Sequence, residues 1–276
     1  MLSCPHCTVG IKGNIGNRKL LDILSFNNIL EKVAPTAMVM QLYFQGEPTL
    51  NKQLYYFIEK AKQAGLYTIV STNAQLIDRA EADKIVGAGL DKIIVSLDGA
   101  TQQTYEQYRK GGSITKVFSA LQYLNEAKKN IGGHTRIVLQ CLRLKSNEGE
   151  WSWLQKNYKA LGADSIEMKT AQFYDYENGQ ELMPTDERYS RYKRVEEHYV
   201  RKKRYRNRCW RLWSGCVVNV DSDVLPCCFD KNSRYSFGNL KSSDIKEVWH
   251  SVAAKRFRKQ VLRDRKGIDI CLNCTE

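Results

Sequence analysis

Two C-x-x-C pairs lie near the ends of the chain, Cys4-Pro5-His6-Cys7 and Cys271-Leu272-Asn273-Cys274. This spacing lets two thiolates in one tight turn bind the same metal ion or cluster, and zinc, iron–sulfur and dithiol redox sites all use it. The start of the chain lacks the charged-then-apolar pattern of a secretory signal. We therefore expect a reducing, cytoplasmic compartment, in which clustered thiols serve a metal or a redox reaction.

Six of the nine cysteines fall in the last quarter of the chain, and they are Cys209, Cys216, Cys227, Cys228, Cys271 and Cys274. Four thiolates satisfy one iron–sulfur cluster or one structural zinc ion, and the spacing alone fits both. Cys141 stands apart from both terminal groups, in the apolar run 135–144, and is expected to be a buried free thiol.

Polar side chains follow several predicted strands. Gly46-Glu47-Pro48 comes after the strand-like run 38–44, Ser71-Thr72-Asn73-Ala74 ends the next strand, and Ser96-Leu97-Asp98-Gly99 ends the one after it. Taken singly, Asn73 and Asp98 are typical helix caps. In a parallel α/β fold, however, the carboxyl ends of the strands form one rim, so Glu47, Asn73, Ser96 and Asp98 are expected to share it.

Strand and helix patterns alternate from about residue 18 to 170. The predicted strands are 38–44, 67–71, 92–96, 135–144 and 165–169, and the predicted helices are 18–33, 54–64, 77–88, 114–130 and 151–161. This alternation predicts an α/β fold with five parallel strands. After it, 186–211 is basic and Tyr-rich and is interpreted as helical. Short strands at 216–221 and 224–226, a turn at Gly238 and a helix at 245–261 follow. Trp210, Trp213 and Trp249 are expected in the core of this small part.

Here the sequence resembles the radical S-adenosylmethionine (radical SAM) enzymes that carry a SPASM-type auxiliary-cluster domain. The resemblance rests on Cys4-Pro5-His6-Cys7, Gly46-Glu47-Pro48, Ser71-Thr72-Asn73-Ala74, Ser96-Leu97-Asp98-Gly99 and Tyr108-Arg109 with Gly111-Gly112. It implies a partial (β/α)6 TIM-like barrel lacking its first strand at 1–183, a basic helical connector at 184–208, and a cysteine-rich α+β SPASM domain at 209–276.

The resemblance also assigns residues. Cys4 and Cys7 would bind a [4Fe–4S] cluster whose remaining iron holds S-adenosylmethionine, and Glu47 would receive the amino group of that cofactor. The cofactor-binding positions are Gly46, Glu47, Pro48, Ser71, Asn73, Ser96, Asp98 and Arg109. A buried strand hydroxyl is the alternative for Ser96, and a solvated helix-end charge for Arg109. The cluster passes an electron to the sulfonium, and the resulting 5′-deoxyadenosyl radical removes a hydrogen atom from the substrate.

One family position has no counterpart. The family loop is C-x-x-x-C-x-x-C, and its first cysteine would lie four residues before Cys4, one position before Met1. The two interpretations are an N-terminally truncated chain, which the remaining motif series favours, and a degenerate member. With two thiolates, the chain is expected to show little radical activity.

In the C-terminal part, the pattern C-W-x-L-W…P-C-C…G-N-L…V-W…C-x-x-C resembles a SPASM domain. This implies one auxiliary [4Fe–4S] cluster held by Cys209, Cys227, Cys271 and Cys274, with Cys216 or Cys228 as substitutes. A zinc site is the alternative.

Lys and Arg exceed Asp and Glu by 43 − 30 = 13. The charge is concentrated at 188–211, with eleven basic residues, and 255–266, with seven. A solvated helix face, an acidic peptide or protein substrate, and a nucleic acid are the three explanations. Apolar residues make up 42% of the chain without a run long enough to span a membrane, so no membrane partner is expected.

The expected function is therefore radical SAM modification of a peptide or protein, or of a small molecule. The expected electron donor is a one-electron carrier such as flavodoxin or ferredoxin. Two alternatives stay open: a zinc-containing protein that binds nucleic acid or peptide, and a non-catalytic radical SAM relative.

Overall fold

The structure is a computed structural model that describes residues 2–7, 19–203 and 206–274. The described residues form two compact units. The first contains residues 2–7 and 38–200, and the second contains residues 19–37, 201–203 and 206–274. The predicted boundaries at 183 and 208 stay a prediction.

A five-stranded parallel sheet in the order β1-β2-β3-β4-β5 forms the centre of the first unit. Its strands are β1 (Val39–Gln41), β2 (Tyr67–Thr72), β3 (Lys92–Ser96), β4 (Arg136–Arg143) and β5 (Ser165–Thr170). Its helices are α2 (Leu54–Gln63), α3 (Arg79–Gly87), α4 (Gln102–Tyr108), α5 (Ile114–Ile131) and α6 (Trp151–Asn157). Sequence neighbours pair throughout, so the carboxyl ends of all five strands lie along one edge of the sheet. The predicted α/β fold with parallel strands is confirmed.

Buried apolar residues explain why these strands form. Ile93, Ile94 and Val95 of β3 are almost fully inaccessible, as expected for a central parallel strand covered on both faces. α5 begins after Ser113, whose side chain accepts a hydrogen bond from the backbone N–H of Lys116. It ends at Gly132, which adopts the left-handed conformation at φ 69°.

The second unit combines helices with a small three-stranded antiparallel sheet, in which the middle strand pairs with one strand on each side. Its elements are α1 (Ile23–Val33), α7 (Arg211–Ser214), β8 (Val217–Val218), β9 (Asp223–Leu225), β10 (Gly238–Asn239), α8 (Ile245–Trp249) and α9 (Val252–Asp264). Although α1 precedes the sheet in sequence, it belongs here. Ile29 joins the core that includes Val224 and Phe237, and Asn28 and Lys32 bond the carbonyl oxygen of Leu240.

The helical interpretation of 186–211 is wrong. This segment contains a short helical turn at Glu187–Tyr189 and then a two-stranded sheet of β6 (Tyr192–Val195) and β7 (His198–Arg201). Glu196 turns the chain between the strands at φ 54°. A two-residue hairpin turn commonly carries Asn-Gly or a similar pair, so Glu196-Glu197 offered no recognisable turn signal.

The predicted helix at 245–261 is two helices. Ser251 interrupts it and caps α9, because its side chain accepts a hydrogen bond from the backbone N–H of Ala254. Throughout the described residues, no helix combines the length and apolar character needed to cross a membrane.

Candidate active site and cysteine centres

Glu47 is held at the carboxyl edge of the sheet by the segment that ends β2. Its Oε1 accepts hydrogen bonds from the hydroxyls of Thr72, at 2.6 Å, and Thr49, at 2.8 Å. Its Oε2 accepts one from the backbone N–H of Asn73 at 2.8 Å, and the residue is only 9% exposed. A carboxylate oxygen has two acceptor positions, so Oε2 retains one beyond the bond from Asn73 within the described part of the chain. The site can therefore match one further donor, such as an ammonium.

Positive φ angles occur in the loop that contains Glu47 and in the loop after β2 that bonds it. Gly46 adopts φ 84°, which a residue without Cβ reaches at no steric cost. Ala74 adopts φ 58° and is fully buried. The side chain of Asn73 accepts a hydrogen bond from the backbone N–H of Gln75, forming a local turn. Asp78 caps α3, so the helix-cap interpretation of Asn73 is wrong.

Asp98 connects the ends of β3 and β4. It is fully buried, and its Oδ1 accepts the backbone N–H of Leu142 at 2.7 Å. Its Oδ2 accepts Nε of Arg109 at 2.6 Å. Asn147 donates to its carbonyl oxygen. Thr101 rather than Asp98 caps α4, so the cap interpretation of Asp98 is wrong as well.

Arg109 stands between Asp98 and the N-terminal cysteine pair. Burial opposes its charge, but Asp98 and then Cys4 outweigh it and raise the pKa of the guanidinium. Burial raises the pKa of the Cys4 thiol, an effect that Arg109 counters. Arg109 thus supplies the positive charge that a thiolate at Cys4 needs in a buried position.

Both C-x-x-C pairs form the same turn. The backbone N–H of Cys7 donates to the carbonyl oxygen of Cys4 at 3.2 Å, and Cys274 and Cys271 make the equivalent bond at 3.2 Å. Cys4, Cys271 and Cys274 are buried. Such turns place two thiols on one side of the backbone, which suits a soft metal centre.

A cavity of about 260 Å³ lies beside the first pair. It is lined by His6, Tyr108, Leu142, Lys169, Thr170, Gln172, Tyr174 and Arg191. The His6 ring packs edge-on against Phe173 at 4.9 Å between ring centres, and burial lowers its pKa. The side-chain nitrogen of Gln172 is buried without a hydrogen-bond partner among the described residues. A buried unsatisfied donor costs stability, so this one marks a place for an acceptor from a bound molecule.

The C-terminal cysteines differ in burial and in the charged groups that lie near them. Burial, and then Cys228, Cys271 and Cys274, raise the pKa of Cys227 to about 12. Cys271 also has Cys209 and Cys274 as electrostatic neighbours. Cys216 differs from these cysteines. Burial raises its pKa to about 11, and the nearby charge of Arg258 counters that rise. Cys228 is exposed.

A buried arginine accompanies this second cysteine group too. Arg265 is 2% exposed, and its Nη1 donates to the carbonyl oxygen of Arg208 at 2.8 Å. Burial opposes its charge, but Cys274, Cys271 and Cys209 raise its pKa. Three thiols beside one buried cation, with Cys227 near Cys271 and Cys274, fit an iron–sulfur cluster. Within 2–7, 19–203 and 206–274, no three or more His, Cys, Asp or Glu side chains are grouped as for one metal ion.

Other sequence predictions have mixed outcomes. Cys141 is fully buried in β4, which confirms the expected free thiol. Ser71 and Ser96 are half-buried near the ends of β2 and β3. The expectation of core tryptophans is wrong for Trp210, which is 80% exposed, and Trp213, which is 42% exposed. Trp249 lies under the Arg258 guanidinium at 4.3 Å.

Some site residues escaped the sequence analysis. Thr49 and Thr72 position Glu47, and Gln75 bonds the Tyr105 hydroxyl and both backbone groups of Ser113. Thr72 lies within the motif at the end of β2, so the sequence already indicated that it belongs to the site. Thr49 and Gln75 form their hydrogen bonds because of how the loops fold, and the periodicity of apolar residues does not predict contacts of this kind.

Comparison with known proteins agrees with this geometry. The family model "Radical SAM superfamily" matches residues 1–141, and the SPASM model "Iron-sulfur cluster-binding domain" matches residues 209–275. The PqqA peptide cyclase of Ruegeria pomeroyi is 24% identical over 92% of this chain and 71% of its own length. That of Xanthomonas campestris pv. campestris is 24% identical over 93% and 72%.

Solved structures share the fold. Native anSMEcpe with bound AdoMet aligns with a TM-score of 0.68 and 16% identity over 99% of this chain and 84% of that one. Streptococcus suis SuiB bound to S-adenosylmethionine aligns with a TM-score of 0.70 and 13% identity over 99% and 69%. Radical SAM domains use a [4Fe–4S] cluster with S-adenosylmethionine, and SPASM domains bind auxiliary iron–sulfur clusters. The chain is therefore an enzyme of the radical SAM superfamily with a C-terminal SPASM domain.

Proposed function

We propose that this enzyme cleaves S-adenosylmethionine reductively and removes a hydrogen atom from a peptide substrate. The observation that carries the proposal is Glu47, whose buried carboxylate is fixed at the sheet edge with one acceptor position left. An α-ammonium is the group that such a carboxylate matches best.

The remaining roles follow from the positions described. Cys4 and Cys7 would hold the catalytic cluster, with Arg109 balancing the charge at Cys4. Cluster and cofactor together would supply a 5′-deoxyadenosyl radical. The cavity beside His6 would offer the adenosyl group an aromatic wall and the side-chain nitrogen of Gln172, which has no hydrogen-bond partner among the described residues. Gly46, Pro48, Ser71, Asn73, Ser96 and Asp98 would shape the cofactor site.

The peptide substrate is inferred from the relatives, which are named as cyclases of the PqqA peptide. We further propose one auxiliary [4Fe–4S] cluster on Cys209, Cys227, Cys271 and Cys274. The electron donor would be a carrier such as flavodoxin or ferredoxin. A reducing cytoplasm suits a chain whose nine cysteines are all free.

The test is anaerobic reconstitution with iron and sulfide, followed by S-adenosylmethionine binding and 5′-deoxyadenosine measurement. We expect Glu47→Gln to weaken cofactor binding at least about tenfold, because a charge-assisted bond is lost. Glu59→Gln makes the same chemical change at an exposed position of α2 and should bind as the unchanged protein does. Equal affinity in both variants would contradict the role of Glu47, and a colourless protein with stoichiometric zinc would contradict the function itself.

A further inference from the structure

The segment Arg206–Trp213 exposes two tryptophans beside a cysteine of the SPASM domain. Trp210 is 80% exposed and Trp213 is 42% exposed, whereas Leu212 between them is 3% exposed. The helical turn of α7 is therefore anchored in the core by Leu212 and presents both indoles outward. Residues three apart in such a turn are neighbours on its surface, so the indoles form one aromatic patch. Tryptophan is enriched among the residues that contribute most of the binding energy at the centres of protein interfaces.

The same segment is strongly basic. Arg206, Arg208 and Arg211 are exposed in the same segment as the two indoles. No acidic residue occurs in the sequence between Glu197 and Asp221. A segment of tryptophan and arginine that has no carboxylates of its own is complementary to an acidic protein surface.

This patch also borders the second cysteine group. Cys209 lies within it, is half-buried, and is an electrostatic neighbour of Cys271. The carbonyl oxygen of Arg208 accepts the hydrogen bond from Arg265, the buried cation of that group. A protein docked on Trp210 would thus lie next to the thiols that bind the auxiliary cluster.

We propose that Arg206–Trp213 is the docking surface for an acidic one-electron carrier protein, an inference that rests on the auxiliary cluster of the proposed function. Electron exchange weakens steeply with distance, so a carrier benefits from docking beside Cys209. A peptide or a nucleic acid would feel the same positive charge but has no need of that position. The indoles supply the apolar centre of the contact, and the arginines supply steering and its salt dependence.

The experiment measures binding of a purified acidic flavodoxin to the reconstituted protein by calorimetry, at low and at high salt. We expect Trp210→Ala to weaken binding about tenfold or more, as for an interface hot spot. Trp153→Ala is the matched control, because Trp153 is 44% exposed on α6 of the other unit, and it should leave affinity unchanged. A double charge reversal, Arg206→Glu with Arg208→Glu, should weaken binding and flatten its salt dependence.

The charge control is Lys255→Glu with Lys259→Glu on α9. It changes the net charge by the same amount and also lies at exposed positions. If both double reversals weakened flavodoxin binding equally, the carrier would be attracted by the overall charge of the protein and not by this segment. That result would overturn the proposed docking surface. So would wild-type affinity in Trp210→Ala, or an acidic peptide that binds through Trp210 where flavodoxin does not. Flavodoxin binding is measured independently of 5′-deoxyadenosine formation. A failure of the docking proposal can therefore be distinguished from a failure of the proposed function.

Discussion

Nε of Arg109 donates a hydrogen bond to Oδ2 of Asp98 at 2.6 Å, and both side chains are largely buried. The pair connects the end of α4 to the end of β3, and the same guanidinium counters the effect of burial on Cys4. A residue of the S-L-D-G motif therefore acts on the cysteine turn through an arginine that follows it by eleven positions.

Removal of Asp98 should be strongly destabilising. Asp98→Ala would leave the buried guanidinium without its carboxylate and the N–H of Leu142 without its acceptor, at a cost of about 3–5 kcal/mol. Urea unfolding measures the change. Glu126→Gln is the control, because its pair with Arg79 is solvent-exposed, and it should cost less than about 1 kcal/mol. Similar losses in both variants would refute a special role for the buried pair.

Asp91 should make stability depend on pH. Burial works to raise its pKa, but hydrogen bonds from Lys62 and Thr68 outweigh burial and lower the pKa. A lowered folded-state pKa adds stability above the unfolded-state pKa of about 3.9, and that stability is lost as the pH falls through the folded-state pKa. The melting temperature of Asp91→Asn should therefore fall below that of the unchanged protein at pH near 7, and the difference should shrink below pH of about 4. A difference that is constant with pH would contradict this origin.

Thr72 should matter for cofactor affinity without touching the cofactor. Thr72→Val removes the 2.6 Å bond to Glu47 and leaves the carboxylate less firmly placed, which should weaken S-adenosylmethionine binding about tenfold. Rescue by Thr72→Ser, which restores the hydroxyl, would separate positioning from a general loss of packing. Thr36→Val removes an exposed hydroxyl elsewhere and should change nothing.

Arg265 should set the redox properties of the auxiliary centre. Loss of a buried positive charge beside Cys209, Cys271 and Cys274 disfavours the extra electron of the reduced cluster. Arg265→Gln should therefore lower the midpoint potential and the iron content, and Arg265→Lys should lie between it and the unchanged protein. Arg263→Gln, at an exposed position of α9, is the control. An unchanged potential with full iron content would rule out this role.

The parallel sheet could be predicted because its buried strands consist mainly of apolar residues. β3 has the predicted bounds, since a strand covered on both faces reads as a continuous apolar run. The edge strand β1 is shorter than predicted, with two of its three residues exposed. α4 was missed because Tyr105 and Tyr108 are its only large apolar residues, although Thr101 and Thr104 form a capping box.

The site was predictable where a motif follows a strand and less so elsewhere. Glu47 and Asp98 follow β1 and β3, so the order of the predicted strands was enough to place them on one rim. The hydrogen bonds of the two carboxylates differ in a way that only the structure reveals, since the oxygens of Asp98 accept bonds from Leu142 and Arg109. Composition could not predict the exposure of Trp210 either, because tryptophan is usually buried.

The placement of α1 has a consequence for dividing the chain. Ile29 belongs to a core whose other buried residues, in the described part of the chain, lie beyond 208. Leu21 and Val33 pack against the same core, and Lys19 pairs with Asp221. A fragment that begins at residue 209 would expose the apolar face that Ile29 covers. No single cut of the backbone separates the two units, and a stable C-terminal piece would have to carry residues 19–37 with it, through co-expression or a permuted chain order.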